Sequence, residues 1–206
     1  MDEDLVAVFK PPGLLSHPSA DPARPDLVTW LRDQIHAEKL VMHHRLDLET
    51  SGILVLTHSL RACAPLAQAF EQRRIRKTYL ARVKGKPPLQ GCIDQPLAET
   101  KGRVRAKAGG KAAVTEFDRR EMLDGYALLE LRPLHGRKHQ LRVHCQSRGW
   151  PIVGDKLYGG EASNRLWLHA WRLGLEHPVS GKPLVLECPT QEEWSYSALS
   201  RPEKRR

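Results

Sequence analysis

The side chains best suited to chemistry lie together in one polar stretch, residues 44–52, with the sequence HRLDLETSG. Within it, Asp47 carries a carboxylate, a group that can attack as a nucleophile or stabilise positive charge developing on a substrate. Short polar side chains in loops often bond to nearby backbone instead, so Asp47 and Thr50 could simply tie the loop to itself. Residue type alone leaves both interpretations open.

The element that must position this stretch is the apolar run that follows it. Residues 53–57 are mostly aliphatic and rich in β-branched side chains, which predicts a buried strand. Ser51 and Gly52 predict a turn in front of that strand, and Gly52 allows a backbone conformation that other residues resist. The polar loop is therefore expected to lead directly into the core.

The chain has 206 residues and a formal net charge of +9. This length suits a single domain, which we assign to residues 1–206, with a frayed basic tail at 201–206. The basic charge is typical of a protein that binds a polyanion such as nucleic acid. Only four residues precede the first predicted strand, so we expect a catalytic or binding domain without an accessory module.

The four cysteines stand far apart, and neither a C-x-x-C pair nor an H-E-x-x-H motif occurs. We therefore expect reduced thiols and no metal site. No apolar run approaches the roughly 20 residues that cross a bilayer, and the acidic residues 2–4 do not fit a signal peptide. These features predict a cytoplasmic monomer that does not associate with membranes.

Strand-like segments outnumber helical ones. An Asp124-Gly125 pair between two such segments predicts a hairpin, and further strands are expected at 5–9, from 77 onwards, and at 165–175 and 184–188. This pattern predicts an α+β protein with a largely antiparallel sheet and flanking helices.

Three helices and one short final helix are predicted. Asp26 is expected to cap the first, with an apolar face of Leu27, Trp30, Leu31 and Ile35 that ends near residue 39. Ser59 is expected to cap the second, whose apolar stripe comprises Leu60, Cys63, Leu66, Ala67 and Phe70, with Pro65 causing a kink or a late start. The third is expected over 138–147, and a capping box at 190–193 predicts the last.

Two basic clusters are candidates for contact with a nucleic-acid backbone. In the first, Lys101, Arg103 and Arg105 alternate along residues 100–111, so on an extended backbone they would project to one side. A mobile basic loop is the alternative, but the overall charge favours phosphate contact. The second cluster comprises Arg73, Arg74, Arg76 and Lys77.

Several short motifs together resemble the RluA-type pseudouridine synthases. HRLDLETSG matches the family's HRLDxxTSG motif, and the order and spacing of the other motifs agree across most of the chain. These are KPPGL at 10–14, FEQRRIRKTY at 70–79, GRKHQLRVH at 136–144, PIVGD at 151–155, LYG at 157–159 and LHA at 168–170.

The resemblance implies a mixed, mostly antiparallel sheet bisected by a catalytic cleft, and an isomerase that needs no cofactor. It assigns the catalytic carboxylate to Asp47 and its cationic partner to Arg142, with Arg137 as a rival for that role. It also implies that Tyr79 stacks on uracil and that its hydroxyl takes part in removing the C5 proton, that Leu168 lines the uracil pocket and that Arg45 fills the space left by a flipped base. The residue types alone also allow Tyr79 to pack on the sheet, Leu168 to pack in the core, and Arg45 to bind a phosphate or form a salt bridge within the loop. The expected substrate is a uridine in an rRNA or tRNA stem-loop, as for small dual-specificity members.

Two other functions fit parts of the sequence. A non-catalytic RNA-binding or RNA-folding module would share the basic surface but would not depend on Asp47. A small metal-free hydrolase could use Asp47 to activate water, but it would give no reason for the alternating basic residues. Dependence of activity on Asp47 separates the first alternative from an isomerase.

Overall fold

The structure is a computed structural model, described here for residues 1–21, 23–37, 39–190 and 194. This part of the chain forms eleven strands and three helices. In chain order they are β1 (Leu5–Lys10), α1 (Leu27–Ile35), β2 (Val41–Met42), β3 (Ser51–Thr57), α2 (Leu60–Glu71), β4 (Arg76–Lys84), β5 (Gln90–Asp94), β6 (Leu97–Thr100), β7 (Arg103–Ala106), β8 (Val114–Leu123), β9 (Tyr126–Pro133), α3 (Gln140–Ser147), β10 (Leu168–Glu176) and β11 (Pro183–Glu187).

Nine strands form one sheet, with a central order of β1-β3-β10-β4-β9-β8-β5. Strand β11 pairs with β10, and β2 pairs with β3. The β3–β10 pairing is parallel, whereas the other named pairs are antiparallel. Strands β6 and β7 form a separate two-stranded hairpin. The predicted α+β class with a mixed, mostly antiparallel sheet is confirmed.

Two hydrophobic cores lie along this sheet. One packs α1 and α2 against β1 and β3, and the other packs α3 against β4, β8 and β9. The half-buried ring of Tyr79, on the central strand β4, contacts both cores. A side chain at this position is therefore close to the junction between the two halves of the sheet.

The β8–β9 and β6–β7 hairpins each turn on a pair of residues in the left-handed region of backbone space. Asp124 and Gly125 have φ values of 51° and 82°, as the predicted D-G turn requires. Lys101 and Gly102 have φ values of 50° and 75° and connect β6 to β7 in the same way. The first part of the basic segment thus belongs to a hairpin, with Arg103 and Arg105 exposed on one face of β7 and Val104 buried on the other.

The predicted turn at Ser51 and Gly52 is wrong, because both residues belong to β3. Gly52 does adopt a φ of +126°, and a Cβ atom there would lie 2.3 Å from the carbonyl oxygen of Ala170. The glycine is needed because β3 and β10 approach each other closely at this point, where Gly52 pairs with Ala170.

Two predicted apolar faces are partly wrong. Trp30 is exposed because α1 buries a stripe through Leu27, Val28 and Leu31, which leaves the tryptophan beside it. Helix α2 buries Ala62, Leu66 and Ala69, so the exposed Leu60 and Ala67 lie off the buried stripe. That helix begins at Leu60 and continues through Pro65, so a late start is excluded.

Several predicted boundaries shift by a few residues. Helix α1 ends at Ile35 rather than near residue 39, and α3 begins at Gln140 rather than at 138. Asp26 does cap α1, accepting a hydrogen bond from the Thr29 amide at 2.9 Å. The predicted final helix and the basic tail at 201–206 lie outside the described residues. None of the described helices is long and apolar enough to cross a membrane.

Candidate active site

The loop before β3 holds Asp47 at the edge of a cavity. A turn is closed by the Thr50 amide, which donates to the Asp47 carbonyl at 3.0 Å. Ser16 anchors the other side of the loop, since its hydroxyl donates to the Leu46 carbonyl at 2.9 Å and accepts from the Leu46 amide at 3.2 Å. The Asp47 side chain is 22% exposed, so its carboxylate remains accessible from the cavity.

A buried lysine also fixes this loop. Lys10 is fully buried, and its Nζ donates to the carbonyls of Pro11, Leu14 and Leu48 at 2.8, 2.9 and 2.9 Å. Burial lowers the pKa of Lys10 to about 8, although Glu49 and Asp47 oppose this shift. The three carbonyls join the end of β1 to the loop that carries Asp47, so Lys10 is part of what positions that loop.

Thr50 does not tie the loop together through its side chain. Its hydroxyl oxygen is buried, and it has no hydrogen-bond partner within the described residues. Of the two side chains that could have tied the loop to itself, that of Thr50 does not, and Thr50 stabilises the loop only through its backbone amide.

Arg142 approaches Asp47 from α3. Its Nη1 lies 3.6 Å from the Asp47 Oδ2, and its side chain is only 5% exposed. A buried aspartate, Asp155, holds the guanidinium through two bonds, from Nε to Oδ2 at 2.8 Å and from Nη2 to Oδ1 at 2.7 Å. Burial lowers the pKa of Arg142, but the bonds and charge of Asp155 outweigh it and leave the pKa raised. Arg142 is therefore a fixed cation beside Asp47.

Arg137, the rival for this position, is placed differently. Its Nε donates to the Ala112 carbonyl at 3.1 Å, and it lines the cavity without an ion pair to Asp47 among the described contacts. The geometry favours Arg142 because that side chain is buried, is held by two hydrogen bonds to Asp155 and lies within 4 Å of the Asp47 carboxylate.

His139 is a second group beside Asp47. Its Nε2 lies 3.9 Å from the Asp47 Oδ2, and its Nδ1 is hydrogen-bonded to the Tyr158 hydroxyl at 2.8 Å. It precedes α3 in the left-handed conformation, with a φ of 54°. Burial, together with Arg142 and Lys138, lowers the pKa of His139, whereas Asp47 raises it, and the net direction is downward.

The cavity beside Asp47 has a volume of about 720 Å³. Tyr79 and Leu168 line it from β4 and β10, and Lys77 and Arg73 line it from the start of β4 and the preceding turn. Burial raises the pKa of Tyr79, and the charge of Asp47 raises it further, so the side chain is a neutral phenol at pH 7. A second cavity of about 460 Å³ shares Asp47, His139 and Arg142 as lining residues.

The basic residues predicted to bind substrate fall into three groups. Arg45 is exposed and lines both cavities, with its Nη1 3.4 Å from the His17 Nε2. Arg73 and Lys77 line the larger cavity, whereas Arg76 is exposed on β4 and Arg74 bonds Gln72 at 2.9 Å. The remaining three, Lys101, Arg103 and Arg105, lie outside both cavities on the β6–β7 hairpin.

That hairpin is attached to α3. Lys138 pairs with Glu99 of β6 at 2.5 Å, and Val104 of β7 packs with Val143 and Tyr158 in a small core. Arg103 also donates to the Leu157 carbonyl at 2.6 Å. The hairpin therefore extends the basic surface beyond the cavity from a fixed position.

Within the described residues, one group of side chains has metal-ligand spacing, comprising Asp2, Asp4 and His177. Asp4 already accepts bonds from Ser59 and Arg61, and Asp2 lies 3.3 Å from His177. None of the three residues lines either cavity beside Asp47.

Sequence reasoning missed four residues of this site, namely Lys10, His139, Asp155 and Tyr158. All four fall within the motifs quoted above, which was the available signal. Their partners come from other motifs, and Asp155 meets Arg142 only because the loop after α3 folds back over that helix.

Comparison with known structures defines the class of this fold and site. The human RNA pseudouridylate synthase domain-containing protein 4 superposes with a TM-score of 0.78 at 29% identity, covering 94% of this chain and 88% of that one. Human RNA pseudouridylate synthase domain-containing protein 1 superposes equally well, with a TM-score of 0.78 at 25% identity. The fold is that of an RNA pseudouridylate synthase.

Sequence comparison agrees. The family model described as RNA pseudouridylate synthase matches residues 4–147. The dual-specificity RNA pseudouridine synthase RluA of Salmonella typhimurium is 38% identical over 200 residues, covering 91% of this chain and 90% of the relative. The tRNA pseudouridine synthase C of the same organism is 37% identical over 221 residues, covering 94% and 85%. This chain belongs to the RluA-type RNA pseudouridine synthase family, whose enzymes are isomerases.

Proposed function

We propose that this protein isomerises a uridine in a stem-loop of rRNA, tRNA or both, with Asp47 as the catalytic carboxylate. The observation that carries the assignment is the ion pair between Asp47 and the buried Arg142 at the edge of the cavity. Two relatives support the substrate class, one named for dual specificity and one for tRNA. We further propose that residues 1–206 act as one catalytic domain, as a monomer, in the cytoplasm.

Pseudouridine formation breaks the N1–C1′ bond of uridine and forms a C5–C1′ bond. The C5 proton leaves and N1 gains a proton, so atoms and charge balance without a cofactor or an energy source. Asp47 can contribute by attack on the substrate or by stabilising positive charge on the ribose as the first bond breaks. Both routes need an ionised carboxylate at the moment of bond cleavage.

Arg142 is proposed to stabilise the negative charge of that carboxylate, because its Nη1 is a fixed cationic group 3.6 Å away when RNA displaces water from the cavity. Arginine suits the position because it stays charged and its fork can bind Asp155 through two bonds while facing Asp47. Asp155 thus holds the guanidinium while its Nη1 stays 3.6 Å from the Asp47 carboxylate.

Tyr79 and Leu168 are proposed to hold the uracil. An aromatic face beside an aliphatic side chain can enclose a flat base, and both side chains line the cavity that contains Asp47. Because the raised pKa keeps Tyr79 neutral, its ring is available for stacking and its hydroxyl carries a proton. As a phenol it is a weak base, so a role at C5 would need proton transfer to a second group.

The target base must leave its stack, which costs roughly a few kcal/mol. Arg45 is exposed at the rim of both cavities, where its guanidinium can occupy the vacated space. Arg73, Arg74, Arg76 and Lys77, with the hairpin residues Lys101, Arg103 and Arg105, are proposed to bind phosphates. Such contacts fix the orientation of RNA without selecting its sequence.

The test compares Asp47→Asn with Glu49→Gln, a matched loss of charge two residues away on an exposed side chain of the same loop. Pseudouridine sites are mapped in total RNA from cells that lack the protein and are complemented with each variant. We expect at least one lost site that wild type and Glu49→Gln restore and Asp47→Asn does not, while purified Asp47→Asn binds the substrate RNA normally. Full restoration by Asp47→Asn would refute the assigned catalyst, and no lost site would favour a non-catalytic RNA-binding role.

A further inference from the structure

His139 lies where it can act on Asp47 although the reaction scheme above does not use it. Its imidazole is largely buried, and its Nε2 faces the Asp47 carboxylate across 3.9 Å. The Arg142 contact to the same carboxylate, at 3.6 Å, is also longer than a hydrogen bond. Neither contact alone therefore fixes the orientation of Asp47.

The other side of the imidazole is firmly held. The Tyr158 hydroxyl lies 2.8 Å from Nδ1, and the two rings meet edge to face at 83°. Tyr158 is itself buried against Val104 and Val143, and its amide donates to Asp155 at 3.1 Å. Asp155 thus anchors both groups that approach Asp47, Arg142 directly and His139 through Tyr158.

The surroundings select one protonation state of His139. Its lowered pKa keeps the ring neutral at pH 7, with a single N–H. The pKa of Tyr158 is raised, mainly by burial, so its hydroxyl carries a proton that can be donated to Nδ1. The ring proton then lies on Nε2, facing the carboxylate, whereas the other tautomer would turn a lone pair toward that negative charge.

We propose that His139 is a positioning residue for Asp47, which acts as a neutral hydrogen-bond donor from Nε2 and is held in that tautomer by Tyr158. This inference rests on the proposed role of Asp47. When RNA displaces water from the cavity, the N–H replaces a lost water partner and orients the carboxylate. A neutral donor does this without the second positive charge that would make Asp47 a poorer nucleophile.

The backbone supports a functional role for this residue. His139 holds a φ of 54° at the start of α3, and it makes no side-chain capping bond to that helix. A non-glycine residue in this conformation is strained, and strained residues cluster at active sites as well as in turns. Asparagine tolerates the conformation well, which provides a control for the backbone effect.

The test measures single-turnover pseudouridine formation and RNA affinity for His139→Ala, His139→Gln and His139→Asn. We expect His139→Ala to react about 10- to 100-fold more slowly, as for loss of a hydrogen bond to a charged group, with RNA affinity changed less than about twofold. Glutamine can place an amide N–H near the Nε2 position and should recover part of the rate. Asparagine suits the backbone but its amide reaches only the Nδ1 position, so it should remain slow.

Tyr158→Phe tests how the tautomer is fixed. It keeps the ring but removes the hydroxyl, so His139 should populate both tautomers, and turnover should slow with unchanged RNA affinity. Two-bond proton–nitrogen NMR correlations of the wild-type enzyme without RNA should show the Nε2–H form of His139. This spectrum does not depend on catalysis, so it tests the inference even if the proposed substrate class is wrong.

Three results would overturn the inference. A wild-type spectrum with the proton on Nδ1 would exclude the donor, and a full rate in His139→Ala would exclude any need for it. A full rate in His139→Asn with a slow His139→Ala would show that only the backbone conformation matters. Failure of the wild-type enzyme to form pseudouridine would instead refute the proposed function.

Discussion

Asp155→Asn removes one negative charge from the most deeply buried ion pair that includes a proposed catalytic residue. The Asp155 side chain is 0% exposed and that of Arg142 is 5% exposed. Asparagine keeps one oxygen, which can still accept from the amides of Leu157 and Tyr158, as Asp155 does at 3.0 and 3.1 Å. Its NH₂ group, however, must then face the Arg142 Nε–H, so two donors oppose each other.

The expected cost follows from this burial. Breaking a buried pair by neutralising one partner costs about 3–5 kcal/mol in the free energy of unfolding, because the other charge stays buried without compensation. Glu187→Gln is a matched control, since the Arg172–Glu187 pair has the same 2.8 Å Nε–oxygen distance but side chains that are 41% and 44% exposed. Loss of such an exposed pair should cost far less, because water screens the pair and solvates the charge that remains.

Urea unfolding of both variants, followed by tryptophan fluorescence, measures these costs. We also expect Asp155→Asn to lower the turnover rate, because a released Arg142 can close the 3.6 Å gap and bind Asp47 directly. The double variant Arg142→Met/Asp155→Leu should recover much of the stability but none of the activity. Equal, small losses in Asp155→Asn and Glu187→Gln would refute the argument that burial makes this pair critical.

Three further predictions concern other parts of the site. Thr50→Val should keep or raise the free energy of unfolding, by up to about 2 kcal/mol in chemical denaturation, because its buried hydroxyl has no partner among the described residues. Replacing Lys101, Arg103 and Arg105 with alanine should weaken RNA binding and reduce the slope of log affinity against log salt by about 2–3 in filter-binding titrations, and an unchanged slope would exclude phosphate contact. Burial lowers the pKa of His44 to about 3, so between pH 6.5 and 3 the unfolded chain binds a proton that the folded protein does not. The stability that comes from keeping His44 neutral is therefore complete above about pH 6.5 and falls by about 1.4 kcal/mol per pH unit below it. When the free energy of unfolding is plotted against pH, His44→Gln should reduce the slope below about pH 6.5 by that amount.

Local patterns in the sequence determined much of the fold. The hairpin at Asp124 and Gly125 follows from a dipeptide whose backbone preferences match the turn. Asp26 was identified as the cap of α1 because its side chain bonds only three residues away. The apolar run at 53–57 lies within the fully buried β3. Each of these features depends on residues close together in the chain, so the sequence alone displays the cause.

The sequence motifs also identified the main candidate site residues, since Asp47, Tyr79, Arg142 and Leu168 all line one cavity. Their chemical roles stay predictions until the variants are measured. Periodicity failed where a helix buries only a narrow stripe, as at Trp30, because a nine-residue helix does not show which side meets the core.

Tertiary structure alone decided how the candidate site is held. Gly52 looked like a turn residue, but its role comes from the parallel approach of β10, more than a hundred residues later in the chain. Lys10 was known from the sequence only as the first residue of the KPPGL motif, yet its ammonium is buried and binds carbonyls of the segment after β1 and of the Asp47 loop. Asp155, Tyr158 and His139 form their network across three separate motifs. Local sequence patterns indicate that an element has a buried face, but they do not show which distant element covers it. The contacts that orient Asp47 come from such distant elements.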